Sequence, residues 1–216
     1  MPNYCANLIE VKKANETAEA HAEYAALLGR FDDGFLLNDV CPMPEALKDT
    51  HHGSLRINGV EHKAWREIEV HDGVEKVPMT SEEIAELTAR FGASNWYDWC
   101  VKHWGTKWDV EEDTFFWEDE GCLRSGFSTA WSPPRPVAQE LSRQYPNLEI
   151  TLYYIETGVG FAGLDRYVNG ELTEELYEDD GLTDETRDMS WFHAEQMEGY
   201  ENPFERDDES DEIEEE

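Results

Sequence analysis

Hydrophobic and polar positions alternate with period two in three stretches of this chain, and each predicts a strand. In the first, Cys5, Ile9 and Val11 fall on one face and Leu8 on the other. In the second, Leu123, Ser125, Phe127, Thr129 and Trp131 alternate with Cys122, Arg124, Gly126, Ser128 and Ala130. In the third, Ile150, Leu152 and Tyr154 face one way and Thr151, Tyr153 and Ile155 the other. Both faces of the third are partly apolar, which predicts an interior strand. Ser132-Pro133-Pro134 ends the second strand, because proline cannot donate to a ladder.

Helical spacing fills much of the remainder. Ala20, Tyr24, Leu27, Leu28 and Phe31 form one face of a helix that Asn15 is placed to cap. Thr80-x-x-Glu83 is a capping box ahead of Ile84, Leu87, Thr88 and Phe91, and Gly92 ends that helix. Asn95 opens a further helix with Trp96, Trp99, Cys100, His103 and Trp104 on one face. Pro136 suits a helix first turn, and Val137, Ala138, Leu141 and Tyr145 continue that face. Lys107 to Val110 reads as a strand, Leu36 to Val40 as a short extended segment, and Leu55 to Val60 as a weak hairpin with Trp65 to Val70. Leu164 to Val168 followed by Asn169-Gly170 reads as a strand and turn.

With residues 35–105 set aside as an insertion, the order is βαββαβ, the ferredoxin-like arrangement of an α+β domain. The expected fold is therefore a ferredoxin-like sheet with helices on one face, a helical insertion after the first helix and an acidic C-terminal extension. The corresponding bounds are a domain over 1–172, an extension over 173–204 docked on the domain through Trp191, Phe192, Met197 and Tyr200, and a disordered acidic tail over 205–216.

Charge changes the picture more than any motif. The 216 residues hold 50 acidic and 17 basic side chains, a net charge of −33. Direct nucleic-acid binding is disfavoured, because phosphate contacts need Lys and Arg. Anionic membranes are repelled for the same reason. No apolar run approaches the roughly 20 residues of a membrane span, and no signal peptide is visible. Four cysteines without a CxxC pair fit a reducing, cytoplasmic setting.

Several strings coincide in order: MPNYCANLIEV at the start, CPMPEAL near residue 41, WYDWCVKHWGTKWDV at 96–110, FSTAWSPPRPV at 127–137 and GVGFAG at 158–163. Together they resemble a phage- and plasmid-borne family of unknown function, founded on an aphid-endosymbiont-phage protein and described by a ferredoxin-like domain. The resemblance covers most of residues 1–170. Tyr4 stands where that family usually has tryptophan. The resemblance implies a fold and a mobile-element protein acting inside a bacterial host cell, and it carries over no catalytic residue.

The chemistry-bearing patterns are each answered by a structural reading. His51, His52, His62, His71 and Cys41 match no zinc spacing, so no metal and no cofactor is assigned. Cys100 and His103 lie three apart on a helix, yet among tryptophans, where a buried thiol is ordinary. Gly158-x-Gly160-x-x-Gly163 has dinucleotide-loop spacing, but a strand follows where a helix is needed. The tryptophans at 96, 99, 104, 108, 117 and 131 read mainly as core, with Trp131 the best recognition aromatic because it stands at a strand end.

What remains is the acidity. Duplex DNA presents one charge per roughly 1.7 Å of axis, and a folded acidic body can occupy a basic groove in its place. The expected partner is a basic nucleic-acid-binding host protein, inhibited as in anti-restriction or anti-CRISPR systems. The partner-binding residues are Trp131 and the acidic clusters Glu111, Glu112 and Asp113; Glu118, Asp119 and Glu120; Glu174 and Glu175; and Glu178, Asp179 and Asp180. Two alternatives stand beside this: a metal- or small-molecule-binding protein or enzyme using the insertion and the glycine-rich exit, and an acidic structural or accessory module.

Overall fold

The three alternating stretches lie side by side in one sheet. The computed structural model describes residues 3–31, 34–110, 114, 116–119, 121–156 and 158–179. The first stretch is β1 (Tyr4–Lys13), which runs into helix α1 (Ala18–Arg30). Thr17 caps α1 by accepting the Ala20 N–H at 3.3 Å, while Asn15, the expected cap, accepts the Thr17 N–H at 3.1 Å. The cap thus moves two residues along, with Asn15 holding the capping residue.

Residues between α1 and the next long strand form α2 (Leu37–Val40), a 3-10 turn (Glu45–Leu47), β2 (Thr50–Ile57), β3 (Val60–Val70), β4 (Gly73–Pro78), α3 (Ser81–Phe91) and α4 (Trp96–His103). The insertion is therefore not only helical, because β2, β3 and β4 form a three-stranded antiparallel meander. The expected hairpin is corrected as well. Asn58 and Gly59 turn the chain with φ of 50° and 83°, so β2 ends at Ile57 and Thr50 pairs with Arg66. Successive positive φ values are what a two-residue hairpin requires of Asn-Gly.

Residues 36–40 are helical in place of extended. Asp109 supplies the reason: its carboxylate accepts the Leu37 N–H at 2.6 Å and the Asn38 N–H at 3.1 Å, completing the start of α2. Its neighbours Lys107 to Val110 form no strand among the described residues. The alternation there is used differently: the Lys107 ammonium stands over the Trp108 ring at 4.5 Å, Asp109 caps α2 and Val110 is buried.

The second half of the chain supplies β5 (Trp117–Asp119), β6 (Cys122–Ala130), α5 (Arg135–Gln144), β7 (Leu148–Glu156), β8 (Phe161–Val168) and β9 (Glu171–Asp179). These strands and β1 make a six-stranded antiparallel sheet in the order β5-β6-β1-β7-β8-β9. Ile9, Val11, Leu123, Phe127, Ile150, Leu152 and Tyr154 meet Leu27 of α1 and Val137, Ala138 and Leu141 of α5 in one core. Leu37, Leu47, Trp99 and Trp104 from the insertion join the same cluster. Each fully buried Leu or Ile contributes about 1.5–3 kcal/mol. The opposite face of the sheet carries a small cluster of Leu8, Tyr153 and Leu164.

Candidate interaction surface

The acidic residues fall into two populations, set by what their carboxylates touch. The first works inside the fold. Glu10, 3% exposed, receives both Nε and Nη2 of Arg124, at 3.0 and 2.9 Å, and pairs with Lys12. Burial opposes its ionisation, but Lys12 and Arg124 outweigh burial and hold its pKa below the ordinary value. Glu156, 1% exposed, accepts the Gly158 and Val159 N–H groups at 2.9 and 2.5 Å and so closes the turn between β7 and β8. Glu23 of α1 accepts Asn147 N–H and Nδ2 at 2.8 and 2.7 Å, tying the helix to the turn before β7.

Asp165 belongs to the same population and organises the largest polar cluster. Arg135, first residue of α5, pairs through Nε with Asp165 Oδ2 at 2.9 Å, donates to the Tyr154 hydroxyl and reaches Glu175 at 3.4 Å. Its guanidinium also stands 5.1 Å from the centre of the Tyr154 ring and 5.7 Å from that of Tyr177. The Tyr167 hydroxyl donates to Asp165 Oδ2 at 3.1 Å. Asp165 is 1% exposed, and its Oδ1 has no partner among the described residues. Burial raises its pKa against the pull of Arg135. The cluster pins the start of α5 across β7, β8 and β9.

The second population is exposed. Residues 1–179 contain 34 acidic and 15 basic side chains, a net −19 of the total −33. The structure scatters the expected partner-binding residues. Glu111, Glu112, Asp113, Glu120 and Asp180 lie outside the described residues. Glu118 is exposed on β5, where the Tyr24 hydroxyl donates to it at 3.4 Å. Asp119 shares that strand. Glu174, Glu175, Glu178 and Asp179 are on β9, at the other edge of the sheet. Five strand spacings of about 4.8 Å separate the two edges, roughly 24 Å in all. Glu174 and Glu175 are partly offset by Arg166 and Arg135, while both remain half exposed.

Trp131 stands at the end of the sheet shared by Tyr4, Phe161 and Asp179. It is 52% exposed, and its φ of 73° takes it out of the β6 alternation that the sequence pattern suggests. A non-glycine residue holds that conformation only where its surroundings fix it. Here the Trp131 N–H donates to Asn3 O at 3.0 Å, and Ser132 donates through its N–H to Ala130 O at 3.0 Å and through Oγ to Gly105 O at 2.5 Å. Of the other tryptophans, Trp99 and Trp104 are buried and Trp108 is 37% exposed.

The residues that suggested catalysis take structural roles. Cys100 Sγ lies 3.8 Å from Met43 Sδ, and burial, reinforced by Asp109, pushes its thiol up to about 12. The His103 ring stacks on Trp99 at 4.6 Å, and burial holds it below its ordinary pKa. His51 stacks on Trp65 at 4.0 Å and accepts the Trp96 indole N–H at 3.2 Å. Among the described residues no group of three His, Cys, Asp or Glu side chains is placed to hold a metal ion. A cleft of about 440 Å³ between α4 and α5 is lined by Cys41, Trp99, His103, Pro136, Arg143 and Gln144. Its thiol, Cys41, is pushed up to about 11 by burial and Glu140, the opposite direction from the lowered pKa of a reactive thiolate. The glycine-rich exit is the β7–β8 turn and opens no helix. No helix among the described residues is long and apolar enough to cross a membrane.

Sequence reasoning missed the Arg135–Asp165 pair. Its one accessible signal was Asp165, which with Arg166 interrupts an apolar strand pattern of Phe161 to Leu164 before them and Tyr167 and Val168 after them. The partner, thirty positions earlier, leaves no local trace.

Comparisons with known proteins bear on the fold. Residues 103–193 match the family model described as the ferredoxin-like domain in Api92-like protein. This agrees with the antiparallel α+β architecture, and the matched stretch includes β8 and β9. The crystal structure of protein Api92 from Yersinia pseudotuberculosis is similar at 14% identity and a TM-score of 0.41, covering 85% of this chain and 100% of that one. Among curated proteins none matches the chain.

Proposed function

We propose that this chain is an acidic, non-enzymatic mobile-element protein that binds a basic nucleic-acid-binding host protein inside a bacterial cell and inhibits it by presenting carboxylates in place of phosphates. The observation that carries the reading is the net −19 of residues 1–179. Carboxylates mounted on strands and helices keep fixed spacings, as phosphates on a duplex do, and their summed field speeds encounter with a basic groove. The mobile-element context rests on the ordered strings that resemble the phage- and plasmid-borne family. Within the fold, β1-α1-β5-β6-α5-β7 serves as the βαββαβ unit, a reading supported by the neighbour order β5-β6-β1-β7.

Trp131 supplies the apolar anchor that a purely charged surface lacks, since aromatic residues dominate interface energetics. The experiment is capture of a partner from host lysate on the immobilised chain, followed by elution with salt and with duplex DNA. A nucleic-acid-binding protein released both by moderate salt and by competing DNA supports the reading. Partners indifferent to DNA, or none, overturn it.

A further inference from the structure

A sheet edge exposes unpaired N–H and C=O groups, and proteins ordinarily blunt it with lysine, proline, bulges or brevity. Among the described residues the two sheets have four edges, and three of them are blunted in this way. β5 has three residues. β4 carries Lys76 and ends in Pro78. β2 has a register irregularity between His52 and Leu55, and α4 packs beside it.

The fourth edge, β9, differs. Its nine residues, ELTEELYED, include no lysine, arginine, proline or glycine. Its one register irregularity, at Thr173, lies near its start, and pairing with β8 is regular over the six residues from Glu174 to Asp179. Residues 171–177 are all exposed, among them Leu172, Leu176 and Tyr177. In an antiparallel strand every second residue directs its backbone hydrogen-bonding groups away from the partner strand, so about half of the β9 groups face outward. The strand is held at its middle, where Arg135 and Arg166 reach Glu175 and Glu174.

We propose that β9 is a docking edge at which an extended Lys/Arg-rich segment of the partner adds as a seventh strand of the sheet. The inference rests on the reading of a basic partner given above and names the surface and the mode. Backbone pairing supplies the ladder. The exposed carboxylates of Glu171, Glu174 and Glu175 meet the partner's cations, and Leu172, Leu176 and Tyr177 provide apolar contact along the strand. The occupant is a basic strand because an acidic one, including a second β9, meets like charge directly opposite.

The probe is a fluorescent ten-residue peptide alternating Lys and Val, beside the same peptide carrying N-methyl groups on all its backbone amides. Both are titrated into the full chain, with amide chemical shifts followed by NMR. Expected are saturable binding of the first peptide, shifts concentrated in residues 171–179, and at least about tenfold weaker binding of the N-methylated twin, the effect of losing roughly 1.4 kcal/mol. The double variant Glu171→Lys/Glu178→Lys should weaken binding by a similar factor with an unchanged unfolding midpoint, because Glu174 and Glu175 keep their arginine partners. Equal binding of the two peptides, shifts at another edge, or no binding overturns strand addition at β9. The DNA-competed capture described above decides the basic-partner reading independently of all three.

Discussion

The hydroxyl of Tyr154 occupies the space in which a side chain at Gly163 would stand. The two residues are directly opposite on β7 and β8. A Cβ built on Gly163 would overlap the Tyr154 hydroxyl and the Leu176 carbonyl oxygen. That hydroxyl receives Arg135, so the absence of one methyl group lets the charged cluster reach across the sheet. Gly163→Ala is expected to destabilise the chain by about 1–3 kcal/mol, the range for forced overpacking. Urea unfolding measures it. A change below about 0.5 kcal/mol would mean that the strands shift freely to admit the methyl.

Glu10 predicts an acid response. Its folded pKa lies below the ordinary 4.5 because Lys12 and Arg124 overcome its burial. As pH falls, the unfolded chain takes up this proton before the folded one. The stabilisation is therefore present above pH 4.5 and is lost as pH drops through the folded value. Glu10→Gln is expected to lose about 3 kcal/mol at neutral pH, the cost of stranding a buried partner, and to show a flatter stability curve below pH 4.5 than the parent. Thermal unfolding across pH 3–7 makes the comparison; parallel curves for the two proteins count against the assignment.

Asp109 joins the insertion to the segment leading back to the sheet. Asp109→Ala removes the acceptor of the Leu37, Asn38 and Val110 N–H groups. The expected cost is about 1–2 kcal/mol, as for loss of a helix cap. Hydrogen exchange should show the change first at residues 37–40.

A substitution at Trp131 tests stability and the proposed recognition separately. Glycine adopts a φ of 73° without the penalty a side chain meets there. Trp131→Gly should therefore leave the unfolding midpoint unchanged or raise it, with relief of about 1 kcal/mol, while weakening capture of the partner. A large fall in midpoint would show that the ring is a packing residue.

The elements legible in the sequence are those whose signal is local. The capping box at Thr80 and Glu83 forms as read, and Gly92 ends α3 in the left-handed conformation. β1, β6 and β7 follow their alternation because each has one face on the helices. The meander was harder to read. Its strands have few buried positions, so no face announces itself, and the Asn58-Gly59 turn lies inside what reads as one run. The short strand β5 was displaced to 107–110 because alternation there serves a cation–π contact, a cap and a buried valine. At the candidate surface, residue identity was legible and placement was not. Acidic runs give no indication of which carboxylates face an arginine or of which sheet edge they occupy.

The composition of β9 also governs how copies of the chain treat one another. Two such edges approaching face to face bring ten carboxylates together with no lysine or arginine on either strand. This makes the longest edge strand among the described residues a barrier to fibril-like growth, so the chain is expected to stay dispersed at concentrations where a neutral edge of the same length would seed aggregates.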